Sequence, residues 1–156
     1  MSQPTPPPNP EFASVVRESF ARQTFMTALG ARLERVEPGA VSVRVPFSAE
    51  HAQQNGFLHA GVLASVADSA CGYAALSVVP PENDVLAVEF KINLLRPATA
   101  RHFVAEARVL RAGRTLVVSF AEVWGESDSG RDLVATMLST VIARPLRRAE
   151  SRRNDP

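Results

Sequence analysis

Gln53-Gln54-Asn55-Gly56-Phe57-Leu58-His59-Ala60-Gly61 runs straight into Val62-Leu63-Ala64-Ser65-Val66-Ala67-Asp68-Ser69-Ala70-Cys71-Gly72-Tyr73-Ala74-Ala75-Leu76, and this junction decides the fold. The second segment is apolar on nearly every side, the pattern of a helix buried inside a domain. One charge, Asp68, stands at its centre. An unpaired buried carboxylate costs several kcal/mol or takes up a proton, so packing alone gives no reason for it. At about 100° per residue, Gly61, Ala64, Gly72 and Ala75 project within roughly 40° of Asp68. The bulkier Val62, Leu63, Val66 and Tyr73 point elsewhere. A stripe of small residues permits close packing of backbone; with a carboxylate in its middle it also leaves room for a substrate.

Working outward, residues 1–10 are proline-rich and suit neither helix nor sheet, so they read as a disordered or extended arm. From Glu11 to Ala28 the apolar Phe12, Val15, Val16, Phe20, Phe25 and Met26 recur at helical spacing, predicting one or two short helices ended by Gly30. Residues 32–36 and 40–46 alternate around Glu37-Pro38-Gly39 and predict a β-hairpin. Ser48 to Phe57 reads as a loop, and the buried helix is expected from about His59 to Val78, stopped by Pro80-Pro81. Strand patterns then occupy 84–97, 103–110, 115–124 and 133–143, read as an antiparallel meander. Residues 144–156 form an arginine-rich solvated tail, leaving 11–143 as one domain. The implied class is α+β, a five- or six-stranded antiparallel sheet curled around a central helix. One sheet cannot cover the whole helix, and its edge strand lies open, so a second subunit is expected.

Composition narrows the function. At 46% apolar and 21% charged, the 156 residues are ordinary for a globular domain able to bury a core. A net charge of +1 gives no reason to expect nucleic acid or an anionic membrane as partner. Asp68 interrupts the only apolar run that approaches a membrane span, and no signal-peptide pattern opens the chain. The single Cys71 excludes an internal disulfide and fits a reducing cytoplasm; inside an apolar helix it reads as a small core residue rather than a nucleophile.

Gly56-Phe57-Leu58-His59-Ala60-Gly61, with Asp68 nine positions after the histidine and a strand ending Leu94-Leu95-Arg96-Pro97-Ala98, resembles the hotdog-fold acyl-CoA thioesterases of the PaaI-like group. The likeness covers about residues 25–143 in element order, spacing and motif. It implies dimers or tetramers that hydrolyse acyl- or aroyl-CoA without metal or cofactor. By this resemblance Asp68 is the catalytic carboxylate, nucleophile or general base, facing the start of the partner's helix. Unpaired N–H groups at a helix start carry the positive end of its dipole, so that of Ala60 or Gly61 suits the carbonyl oxygen. Gly61 also suits plain close packing. Two departures stand out: Ala60 replaces the usual first glycine of His-Gly-Gly, and Gln53 stands where many relatives carry Asn. Gln53 retains an amide to hold a water or the thioester, and Asn55 beside Gly56 is its rival, although both also suit a turn. His59 is placed to bond the carbonyl or to cap the helix. No serine or threonine matches the water-positioning residue that one subtype carries on the strand near Ala87.

For the CoA end the sequence offers Arg96, Arg111 and Arg114, with Lys91 and Asn93 on the long strand, because phosphates favour arginine and lysine. Arg111-Ala112-Gly113-Arg114 also reads as a hairpin turn whose charges face water. A non-catalytic acyl-CoA sensor on the same fold would keep the pocket but has no use for Asp68. A dehydratase would need a histidine and an acid disposed differently across the pocket, and a purely structural domain leaves Asp68 unexplained.

Overall fold

In the computed structural model, which describes residues 9–145, helix α3 (Ala60–Leu76) lies across the concave face of a six-stranded antiparallel sheet. The helices α1 (Phe12–Ala21) and α2 (Thr24–Ala28) precede the strands β1 (Arg32–Glu37) and β2 (Ala40–Pro46), and a single 3-10 turn (Ala49–His51) precedes α3. After α3 come β3 (Asn83–Leu94), β4 (His102–Ala112), β5 (Leu116–Ser127) and β6 (Gly130–Pro145). The proline-rich arm through residue 8 and the arginine-rich tail from 146 lie outside the described residues.

Alternation in each strand sorts its side chains between the helix and the outer face. Val41, Val43 and Val45 of β2 face inward with Phe103, Ala105 and Ala107 of β4. Val117, Ala121 and Val123 of β5 and Ala135, Met137 and Val141 of β6 continue the core. Against them α3 buries Val62, Leu63, Val66, Ala67, Ala70, Cys71 and Ala74. The helix ends where Ser77 turns its hydroxyl onto Ala74 O at 2.7 Å and accepts the Gly39 N–H at 2.8 Å. Gly39 takes φ +73°, which lets the β1–β2 turn approach the end of the helix.

The strand order β1-β2-β4-β5-β6-β3 corrects the expected meander. β3 and β4 are not a hairpin: β3 pairs with β6 and β4 with β2. The reason is the helix, which carries the chain across the concave face before β3 begins and so delivers it to the far edge. Arg96 and Pro97 belong to the connection that brings the chain back, so β3 ends earlier than the sequence pattern implies. β5 and β6 instead run longer, meeting at Ser127 and Gly130. β3 is left as an edge, with Leu86, Val88 and Phe90 about half exposed.

Candidate active site

The sheet leaves one stripe of α3 uncovered: Gly61, Ala64, Ser65, Asp68, Ser69 and Gly72 are the helix residues that retain appreciable access on this side. Asp68 therefore sits where the small-residue stripe places it, although Ala75, expected beside it, is fully buried. An added Cβ at Gly72 would meet nothing within 4 Å, so the space next to the carboxylate is open. Burial raises the pKa of Asp68 above the ordinary carboxylate value. The same surroundings push the Cys71 thiol up to about 12, through burial first and the neighbouring Asp68 charge second, which removes it as a nucleophile.

A raised carboxyl pKa has a consequence for stability. The folded chain holds the Asp68 proton to higher pH than the unfolded chain does. Stability from this group is therefore full below the ordinary carboxyl pKa and declines as pH rises through the raised one. Asp68→Asn, neutral at all pH, is expected to unfold at a higher temperature than wild type at about pH 7.5, with the gap closing toward about pH 3. Thermal unfolding of both proteins across that range checks it.

The start of α3 is built by His59. Its Nδ1 accepts the Gly61 N–H at 2.8 Å, and its carbonyl accepts the Val62 N–H at 2.9 Å. An imidazole accepting at Nδ1 carries its proton on Nε2, so the exposed edge of His59 is a donor. Gly61 is explained by the same cap: a Cβ there would stand 2.9 Å from His59 Nδ1. Because the Gly61 N–H is already bonded, the donor left at the helix start is that of Ala60, which has no acceptor among the described residues. Beside it opens a groove of about 400 Å³ lined by Phe25, Leu29, His51, His59, Val62 and Ser65.

Gln53, Asn55 and Gly56 form the turn before the helix. Gln53 O accepts the Gly56 N–H at 2.9 Å, the Gln53 side chain accepts the Asn55 N–H, and Gly56 adopts φ +83°. Arg96 lies at the sheet end where α3 begins, paired with Asp132 at 2.6 Å. Arg111 and Arg114 lie at the opposite end, beside the C-terminus of α3, where Gly39 and Val109 meet Val78. Asn93 points to the outer face, bonded to Lys91 at 2.9 Å and Thr136 at 3.4 Å. A single chain thus gathers His59, Ala60, Gly61, Gln53, Asn55 and Gly56 at the helix start and sets Asp68 apart from them. Eight residues of helix separate Ala60 from Asp68, about 12 Å along the axis.

Asp68 opens into a second cleft, of about 280 Å³, between α1, α3 and β3. Its walls include Ser19, Gln23, Tyr73 and Asp84, none of which the sequence marked. Their convergence depends on contacts such as Ser19 to Tyr73, 54 residues apart in the chain, and no local spacing announces those. Among the described residues no group of three or more His, Cys, Asp or Glu is arranged to hold a metal, and no helix is long and apolar enough to cross a membrane.

A six-stranded antiparallel sheet wrapped on one helix defines the hotdog class of α+β proteins, and here an acid stands on the uncovered stripe of that helix. The chain belongs to the thioesterase superfamily, whose profile matches residues 55–130. It is 31% identical over 129 residues to a Saccharolobus solfataricus protein named "Putative esterase", covering 83% of each chain. A second protein of that name and organism is 36% identical over 90 residues, which span 58% of this chain and 64% of the relative. The crystal structure of a thioesterase family protein from Silicibacter pomeroyi superposes with a TM-score of 0.85 at 45% identity, covering 86% of this chain and 99% of that one. The PaaI protein of the E. coli phenylacetic acid degradation operon shares the fold, with a TM-score of 0.78 at 22% identity over 86% of this chain and 94% of that one.

Proposed function

We propose that this protein is an acyl-CoA thioesterase that works as a homodimer or a homotetramer of such dimers, cleaving acyl- or aroyl-CoA to the free acid and CoA. The observation that carries the reading is Asp68: an acid on an otherwise apolar helix, held in a cleft that the chain's own residues leave open. Membership of the thioesterase superfamily supplies the reaction class.

Geometry within one chain argues for a site shared between two. A carbonyl oxygen held by the Ala60 N–H and a carbon attacked under Asp68 each need their partner at about 3 Å. The roughly 12 Å of helix between those residues is too far for a single thioester carbon. A second copy brought in along the β3 edge would set Asp68 of one chain against the helix start of the other. Antiparallel pairing of two β3 strands would also bring Arg111 and Arg114 of one chain toward the end where the other chain's α3 begins. Those two arginines, in no ion pair among the described residues, are then better placed for CoA phosphates than Arg96, which Asp132 already holds.

In this site the Asp68 carboxylate either attacks the thioester carbon itself or takes a proton from the water that does. The Ala60 N–H and the Nε2–H of His59 receive the negative charge that builds on the oxygen. In the base route, collapse breaks the C–S bond and the departing sulfur takes up the proton that Asp68 took from water. When Asp68 is the attacker, CoA leaves as the thiolate and water then hydrolyses the acyl-enzyme anhydride, releasing the acid and restoring the carboxylate. Release of free thiol from a panel of short, medium and aromatic acyl-CoA esters tests the reading, and no release from any of them would overturn it.

Removing the edge contact should remove the site. The double variant Val88→Asp, Phe90→Asp is expected to sediment as single chains and to lose at least about a hundredfold in hydrolysis. Single chains with full activity would refute the shared site.

A further inference from the structure

The cleft that begins at Asp68 ends in polar groups. The Tyr73 hydroxyl and Ser19 Oγ stand 3.3 Å apart. Ser69 Oγ donates to Gln23 Oε1 at 3.4 Å, which leaves the carboxamide N–H groups of Gln23 as donors. These groups come from three segments that share no local sequence pattern: the end of α1, the linker after it, and the middle of α3.

The Tyr73 ring is fixed in place, packed against Phe20 with centroids 5.7 Å apart, and the residue is only 6% exposed. Tyr73, so shielded from water, has few ways to replace a hydrogen bond that a hydrocarbon end would displace, whereas Ser19 and Gln23 are only partly buried. Tyr73 follows Asp68 by five residues, about 7.5 Å along the helix axis and roughly 140° around it, so it stands to one side of Asp68 while lining the same cleft. Asp84 adds a carboxylate to the same cleft, with its Oδ1 accepting the Val85 N–H at 2.8 Å. No lysine or arginine is among the lining residues, and the one cation among the described residues whose charge reaches Tyr73, Arg22, stands outside the lining.

We propose that Tyr73, Ser19 and Gln23 form a hydrogen-bonding end wall that selects acyl groups carrying an uncharged polar group, a hydroxyl above all, remote from the thioester. Asp84 turns away acyl groups that end in a carboxylate. Both parts rest on the reading of the Asp68 cleft as a thioesterase site. A purely alkyl chain leaves unmatched the Gln23 N–H groups and the hydroxyl hydrogen that the Ser19–Tyr73 pair does not use, a hydroxyl pairs with them, and a carboxylate meets the like charge of Asp84.

Three esters matched in length separate the possibilities: hexanoyl-CoA, 6-hydroxyhexanoyl-CoA and adipyl-CoA. The full chain is expected to show the highest kcat/KM for the hydroxylated ester and the lowest for adipyl-CoA. Tyr73→Phe, which removes one oxygen and keeps the ring on Phe20, should lower the ratio of hydroxyhexanoyl to hexanoyl by about tenfold. Ser19→Ala, on the accessible side of α1, should lower it by about threefold, and Asp84→Asn should raise adipyl-CoA relative to hexanoyl-CoA. A wild type that favours hexanoyl-CoA overturns the proposal, as does a ratio unmoved by both wall variants. In either case hydrolysis itself would persist, and the thioesterase reading with it. No hydrolysis of any ester would remove both.

Discussion

Asp68→Asn is expected to lower kcat/KM for acyl-CoA hydrolysis by about 10³-fold, with circular dichroism and sedimentation unchanged. The carboxamide has nearly the shape of the carboxylate, so packing on α3 is kept while both the nucleophile and the base are lost. Gly72 leaves open space beside the residue, so the carboxamide meets no clash there. The pH profile separates a lost base from lost packing. Since burial raises the Asp68 pKa, wild-type kcat/KM should rise with pH through a value above that of an ordinary aspartate, and the variant should lose that limb. Stability should move the other way, as the thermal comparison above states, because a carboxylate kept ionised in this cleft costs the fold something. Near-normal rates in the variant would make Asp68 a structural acid.

Ala60→Pro is expected to cost about 10²- to 10³-fold in kcat while leaving the helix intact. Ala60 is the first helical position, where proline's fixed φ suits the helix and its missing N–H is one the helix does not use. The preceding His59 sits at φ −61°, ψ 136°, an extended conformation that proline tolerates in its neighbour. The substitution therefore removes one donor and little else: the Nδ1 cap on Gly61 and the carbonyl bond to Val62 are not its business. Thiol release and helical content measured on the same sample check both halves of the expectation. Full activity would show that the Ala60 N–H does not hold the developing negative charge.

Much of this was legible in the sequence, for identifiable reasons. The β1–β2 hairpin, α3 and β4 to β6 announce themselves because alternation and helical period are local. Asp68 is legible because a charge in an apolar helix conflicts with its surroundings. The position of β3 is not, because its alternation is the same whether it pairs with β4 or β6; only the crossing of α3 decides. The role of Gly61 was open to two readings, and the structure gives a third, room for the imidazole of His59. Ser19, Gln23 and Asp84 are ordinary surface types in helix, linker and strand ends, and they matter only where Tyr73 and β3 bring them together.

Mixing the two inactive variants tests the shared site most directly. Asp68→Asn and Ala60→Pro chains are unfolded together, refolded at equal concentration and assayed for thiol release. Random pairing makes about half the dimers mixed, and each mixed dimer regains one site, with Asp68 from one chain and the Ala60 N–H from the other. The account predicts recovery to about a quarter of the wild-type rate, far above either variant alone. Activity that stays at the level of the separate variants, in samples shown to contain mixed dimers, would contradict it.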